Sequence, residues 1–340
     1  MNCDTPRSLR IRRGCTIVEA LIAVGLLGML VQILLPALSA ARESARRLVC
    51  VRQMQRLGAA ALAHHEAHNA FPSGGWHFDW IGDPERGTGP DQPGAWTFNL
   101  LDYLDAPDLR DAGRDLPAQE RFEAIATRCR AVDAPAFTCP SRRTAVAYPY
   151  RWNRRPRTRD GQFPFDLPIG LKTDYAANAG DSGLTEFSFR WPGPRSLTEG
   201  DHPDFAWPDL RPFTGVIHGR SQVRQRQLRD GASHTYLFGE KYLDARHYTT
   251  GEDWGDNECL FAGFNNDNCR STRLPPHRDT PGLDLRNSFG SAHPTGWNTT
   301  MADGSVRTQD FQIASHVHRQ HGNRDDSRTA AADASRPAVP

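Results

Sequence analysis

The feature that most restricts this chain lies near its start: residues 16–38 are almost wholly apolar, interrupted by Glu19, Gln32 and Pro36. Roughly 20 such residues, wound as a helix, cross the hydrocarbon of a bilayer. A basic stretch precedes the run, with Arg7, Arg10, Arg12 and Arg13 against a single acid, Asp4, and it ends on Gly14. Beyond the run the apolar residues thin to a stripe, Leu38, Ala41, Ala45, Leu48, Val51, Met54, Leu57 and Ala61 recurring every three or four positions. One helix about 80 Å long is therefore expected, at 1.5 Å per residue. Its part 15–38 belongs in the membrane, and its part 39–68 packs under a head through that stripe. It should stop at Asn69-Ala70-Phe71-Pro72, because proline disfavours helix in the residue before it.

An ordinary secretory signal cut near Ala37-Leu38-Ser39-Ala40 fits less well, since the run exceeds the about 7–15 apolar residues usual there and carries an acid near its start. A lipoprotein signal fails on order, because Arg12, Arg13 and Gly14, not an apolar run, precede Cys15. The segment Arg13-Gly14-Cys15-Thr16-Ile17-Val18-Glu19-Ala20 instead resembles the processing site of type IV prepilins and type II secretion pseudopilins, with Cys15 standing where that family usually has Phe. The resemblance implies cleavage by a prepilin peptidase between Gly14 and Cys15, leaving 1–14 as a leader. It also implies that Glu19 assists subunit assembly by meeting the new N-terminal amine of a neighbouring pilin-like subunit. The physical reason is that a carboxylate in the bilayer costs about 2.5–3.5 kcal/mol on insertion scales and so usually has a partner. The plainer alternative keeps Glu19 at headgroup depth.

The remainder reads as a turn-rich head, given 29 Gly, 25 Pro and a mean hydropathy of -0.62. A net charge of +1 excludes any global attraction to nucleic acid. The run Arg151, Arg154, Arg155, Arg157 and Arg159 around Trp152 is the only local candidate, and nucleic acid is not expected as a partner. All positive charge is arginine except Lys172 and Lys241. Helical stretches are expected near 97–104 and 117–130, a strand at 236–238, and a hairpin near 296–311 whose turn is Ala302-Asp303-Gly304-Ser305, Asp-Gly being a strong hairpin signal. From residue 322 to 340 the chain is polar and aperiodic, and is expected to be disordered.

The seven cysteines contain no Cys-x-x-Cys pair, so a zinc ribbon is excluded. Two pairs, Cys129 with Cys139 and Cys259 with Cys269, have spacings that suit local disulfides in an oxidising compartment, with buried thiols as the alternative. His64 and His68 share a helix face but lack an identifiable third ligand. The oxygen-rich loop 252–268, with Asp253, Asp256, Glu258, Asn265, Asn266 and Asp267, offers calcium-type ligands without EF-hand spacing, and reads as a solvated loop. A thiol hydrolase built on Cys139 with His218 or His234 lacks supporting context. No metal, cofactor or catalytic residue is expected.

His293 precedes Asp303-Gly304 by nine intervening residues. This His-x9-Asp-Gly pattern resembles the processing-associated motif of DUF1559 proteins, prepilin-like chains whose large extracytoplasmic domain, once labelled solute-binding, has no assigned activity. Phe71-Pro72, Phe137-Thr138-Cys139-Pro140, Asp174-Tyr175, Asn178-Ala179-Gly180, Asp230-Gly231-Ala232-Ser233-His234-Thr235 and Gly239-Glu240 occur in that family's order. His293, Asp303 and Gly304 are expected to shape the hairpin turn. The expected fold is α+β: a long N-terminal transmembrane and amphipathic helix packed against an elaborated, loop-rich antiparallel β head spanning 69–321. The implied role is a non-enzymatic, single-pass pseudopilin-like or minor-pilin-like subunit of the cytoplasmic membrane, with its head in the periplasm or at the cell surface. The alternative is an anchored module that binds an extracellular solute or glycan and uses the helix only as a tether.

Overall fold

The computed structural model describes residues 17–131, 135–152, 154–188 and 190–325. Its described residues fall into two units that divide between Ala45 and Arg46. Helix α1, Ile17–His68, runs through both. Pro36 lies inside it, and its carbonyl accepts a hydrogen bond from Ser39 Oγ at 2.8 Å. The large apolar side chains from Ile17 to Leu38 are between 49% and 80% exposed, and the helix is long and apolar enough to cross a membrane. It ends where proline and asparagine dictate: Asn69 takes φ +53°, a left-handed conformation that asparagine tolerates at helix ends, and Phe71-Pro72 follows.

In the larger unit the second half of α1 is held by one narrow face. Cys50, Met54, Leu57, Ala61 and His64 are buried, whereas Leu48 of the expected stripe is 58% exposed. The buried face is thus rotated from the one that apolar residues alone indicate, because Cys50 and His64 belong to it. His64 donates through Nδ1 to the Ala70 carbonyl at 3.0 Å, and Tyr103 Oη lies 3.0 Å from His68 Nε2. His64 is thus buried in the head, whereas His68 stays exposed at the helix end.

The head contains α2 (Ala118–Arg130) and α3 (Ser315–Gly322), with short helical turns at Trp96–Asn99 and Leu101–Tyr103. Its main sheet has five strands, β1 (Tyr175–Gly180), β2 (Tyr236–Glu240), β3 (Cys269–Ser271), β4 (Trp297–Met301) and β5 (Val306–Gln309). They lie in the order β5-β4-β2-β1-β3, antiparallel except for the β1–β3 edge. Strands β1, β2 and β4 are buried along their whole length. Ala176, Tyr236, Trp297 and Met301 form a small cluster with Phe289, and a large core takes in Cys50, Met54, Leu57, Ala60 and Ala61 of α1. Long, irregular segments surround this sheet, as the glycine and proline content implies. The fold is therefore α+β.

The β4–β5 hairpin pairs Thr300 with Val306. In its turn Gly304 N donates to the Met301 carbonyl at 2.9 Å, Asp303 Oδ1 accepts from Ser305 N at 2.9 Å, and Gly304 takes φ +84°. The turn also leans on the Asp230–Thr235 segment, through Asp303 N to the Ala232 carbonyl and Ala302 N to the Thr235 carbonyl. α1 meets it at Gly58, where an added Cβ would lie 2.8 Å from Thr300 Cγ2 and 3.3 Å from Gly304 Cα. Two expectations are corrected. The ordered chain does not stop at residue 321, since Asn178 Nδ2 donates to the Gly322 carbonyl and Arg324 Nη1 to those of Phe213 and Gly215. The oxygen-rich loop is not solvated: Asp253, Asp256, Glu258, Asn265, Asn266 and Asp267 are all buried. The rest of the expected tail, 326–340, lies outside the described residues.

Candidate functional site

Sequence pieces far apart in the chain meet at the centre of the head. Cys139 opens a turn in which Arg142 N and Arg143 N both donate to its carbonyl. Its own N–H donates to Asp174 Oδ2 at 2.7 Å, at the entry to β1. From Asp174 a ladder of buried charges extends in both directions. Arg142 donates to the Asp174 carbonyl at 3.1 Å and through Nε to Asp279 Oδ2 at 2.7 Å. Arg143 donates to Asp174 Oδ1 at 2.7 Å and to Asp256 Oδ2 at 2.5 Å, and Lys241 Nζ reaches Asp256 Oδ1 at 2.8 Å. None of these six side chains belongs to a residue more than 9% exposed. Burial alone would push the Asp256 carboxyl up, but Arg143 and Lys241 outweigh it and hold the group below the usual carboxylate range. Such a ladder tolerates burial because every ion in it is paired.

Beside the ladder lies a compact set of four side chains. Cys50 comes from α1, Cys139 from the turn, Glu240 from the end of β2, and His293 from the segment before β4. Cys50 Sγ is 2.9 Å from Cys139 Sγ, Cys139 Sγ is 3.9 Å from His293 Nε2, and His293 Nε2 is 3.1 Å from Glu240 Oε1. One ligand-type atom from each falls within 4.8 Å of all the others. Burial lowers the affinity of His293 for a proton, but the contacts with Cys139 and Glu240 reverse this and push it up to about 10. The Cys139 thiol is pushed up by its contact with Cys50 and by burial, which is the opposite of what an activated nucleophile needs. Two sulfurs, an imidazole nitrogen and a carboxylate oxygen are instead a donor set for a borderline-soft metal ion.

The cysteine partners differ from those expected from spacing. Cys139 lies against Cys50, and Cys129 against Cys259, while Cys269 Sγ is 4.0 Å from the Ile217 carbonyl. All five described cysteines are free thiols in the structure, so neither Cys129–Cys139 nor Cys259–Cys269 is joined. Spacing misleads here because the intervening loops are folded into the head instead of closing on themselves. His293 is likewise not part of the turn that Asp303 and Gly304 build: it is wholly buried among Cys139 and Glu240.

A family model described as "Protein of unknown function (DUF1559)" matches residues 39–315, well over half of the chain. The chain belongs to the DUF1559 family. The matched region takes in the second half of α1, the charge ladder and all four members of the buried set. Neither the curated proteins nor the solved structures gave a match.

Within this DUF1559 chain the remaining candidate residues are scattered. Gly14 and Cys15 lie outside the described residues, and Glu19 sits in the first turn of α1. The arginine run is matched by acids: Arg151 with Glu252, Arg154 and Arg155 with Asp166, Arg157 with Asp79, and Arg159 with Asp83 and Glu85. Sequence reasoning missed Cys50, Arg142, Arg143 and Asp279. One signal was present: in a chain so dependent on arginine, the two lysines stand out, and both are buried, Lys172 donating to the Glu258 carbonyl at 2.6 Å.

Proposed function

We propose that this DUF1559 protein is a non-enzymatic, prepilin-like subunit anchored by α1 in the cytoplasmic membrane, with its head outside the cytoplasm, acting as a minor or surface component of a pseudopilin- or pilus-type assembly. The observation that carries the reading is the first half of α1, whose apolar side chains are exposed over a length that matches a bilayer. The Gly14-Cys15 junction and Glu19 supply the processing and assembly features, and a prepilin peptidase and other pilin-like subunits are the partners that follow. The test is mass spectrometry of the mature N-terminus after expression with a prepilin peptidase. A chain beginning at Cys15 that fractionates with membranes is expected; a soluble chain beginning near Ala41 overturns the proposal. Glu19→Ala should be cleaved normally yet incorporate poorly into assemblies.

A second reading, an anchored module for an extracellular solute or glycan, has one structural observation in its favour. A surface recess is lined by Arg211, Thr214, Arg226, Gln227, Arg229, Asn323, Arg324 and Asp325, four arginines against one acid, an excess of positive charge suited to an acidic ligand. Saturable binding of an acidic glycan, abolished by Arg226→Ala, would favour this reading over assembly.

A further inference from the structure

We propose that Cys50, Cys139, Glu240 and His293 form a structural site for one tetrahedrally coordinated transition-metal ion, zinc above all, which fastens α1 to the head. The proposal is independent of the anchoring role. It begins from convergence: four side chains from four separate segments, each at most 1% exposed, bring one donor atom apiece within 4.8 Å of the others. Zinc bound at about 2.3 Å to sulfur and about 2.0 Å to nitrogen or oxygen implies tetrahedral edges of about 3.8 Å between sulfurs, about 3.5 Å from sulfur to nitrogen and about 3.3 Å from nitrogen to oxygen. The separations of 3.9 Å from Cys139 to His293 and 3.1 Å from His293 to Glu240 already approach these edges. Of these three separations only that between the thiols, at 2.9 Å, must open, by less than about 1 Å.

Orientation makes a second argument. Glu240 Oε1 lies 3.1 Å from His293 Nε2, so the carboxylate and the ring already present these two donor atoms to each other. The groups behind them are fixed: Glu240 Oε2 accepts from Asn298 N at 2.7 Å, Cys139 N is held by Asp174, and His293 N donates to Ser291 Oγ at 3.1 Å. Such outer contacts hold metal ligands in place. Two thiolates, a carboxylate and a neutral imidazole around a divalent ion leave one negative charge, and the Arg142 guanidinium interacts with both Cys139 and Glu240. With all four positions supplied by protein and no solvent access, the site has the closed form of a structural centre.

The test uses the full chain, solubilised in detergent and purified without chelator from zinc-supplemented cells. Elemental analysis should find about one zinc per chain, and X-ray absorption should show two sulfur neighbours at about 2.3 Å with two nitrogen or oxygen neighbours nearer. Cys50→Ser and Cys139→Ser should each lower zinc occupancy at least about tenfold at limiting metal, and His293→Gln should do so too. The other buried pair is the control: Cys129→Ser and Cys259→Ser should keep the metal. If the ligand variants fail to fold, the unaltered protein still decides the matter, since removing zinc with a chelator should lower its melting temperature and adding zinc back should restore it. A chain that carries no stoichiometric metal, with Cys50 and Cys139 joined in a disulfide on non-reducing peptide mapping, overturns the proposal. Zinc retained by the Cys50→Ser/Cys139→Ser double variant overturns it as well.

Discussion

The first half of α1 and the centre of the head reverse the usual placement of polar and apolar groups in opposite senses. From Ile17 to Leu38 the helix turns apolar side chains outward. In the head, Arg142, Arg143, Asp174, Lys241, Asp256 and Asp279 turn full charges inward. The first inversion is stable only if something other than water meets those side chains, which under the proposed function is a bilayer or a neighbouring subunit's helix. The second is stable because each ion finds a counter-ion, and the cations also donate to several carbonyls, so that specificity of pairing replaces the non-directional packing of an ordinary core. One region depends on its surroundings, the other on its own geometry.

The sharpest way to break that contrast is inside the ladder. Arg143→Met leaves Asp174 and Asp256 short of their shared partner, and should destabilise the head by about 3–5 kcal/mol in denaturant melts of the detergent-solubilised protein; a loss below about 1 kcal/mol would mean the ladder is not what holds these segments together. The complementary change, Leu27→Arg in the outward-facing run, should weaken membrane insertion by about 2.5–3.5 kcal/mol. It should release protein to the soluble fraction on alkaline extraction while the melting temperature of the head stays unchanged. A fall in that melting temperature would tie the two regions together.

Gly304→Val probes the joint between helix and hairpin. The residue stands at φ +84°, and a Cβ there would come 2.8 Å from Leu62 Cδ1, so a loss of about 1–3 kcal/mol is expected on thermal unfolding. An unchanged midpoint would show that the turn can reshape without cost. The smallest effect is a matter of pH. His318 is wholly buried, against Tyr236, Phe289 and Trp297, and neither ring nitrogen has a hydrogen-bond partner. Burial first, and the neighbouring His321 second, lower its proton affinity from 6.5 to about 3. A histidine depressed in the folded state contributes stability that is complete above pH 6.5 and is lost as pH falls toward the folded value. Between pH 8 and pH 5 this amounts to at most about 2 kcal/mol. His318→Phe should keep the packing and flatten that slope; an unaltered slope would place the acid sensitivity elsewhere.

What the sequence revealed and what it hid follow the distance over which each signal acts. The end of α1 was legible in Asn69 and Phe71-Pro72, and the hairpin in Asp303-Gly304, because backbone sterics act between neighbours. The face by which α1 docks was legible only in part: Met54, Leu57 and Ala61 follow from apolar spacing, but Cys50 and His64 are buried for their partners and not for their hydrophobicity. The site was least legible. Cys50 to Cys139 spans 89 residues and Cys139 to His293 spans 154, so no local spacing joins them, and pairing the cysteines by nearness in sequence led to the wrong neighbours. The ladder was hidden for the same reason, Arg142 and Asp279 being 137 residues apart.

The approach at Gly58 has a mechanical consequence. There the helix backbone meets the Thr300 methyl group and the Gly304 backbone directly, so little soft material is available to yield. Rolling this part of α1 by a single residue, about 100°, would drive a side chain into the space that Gly58 leaves. Residues 46–68 of α1 and the β4–β5 hairpin are therefore locked against rotation about the helix axis, and a twist applied to one is passed to the other and on to the sheet.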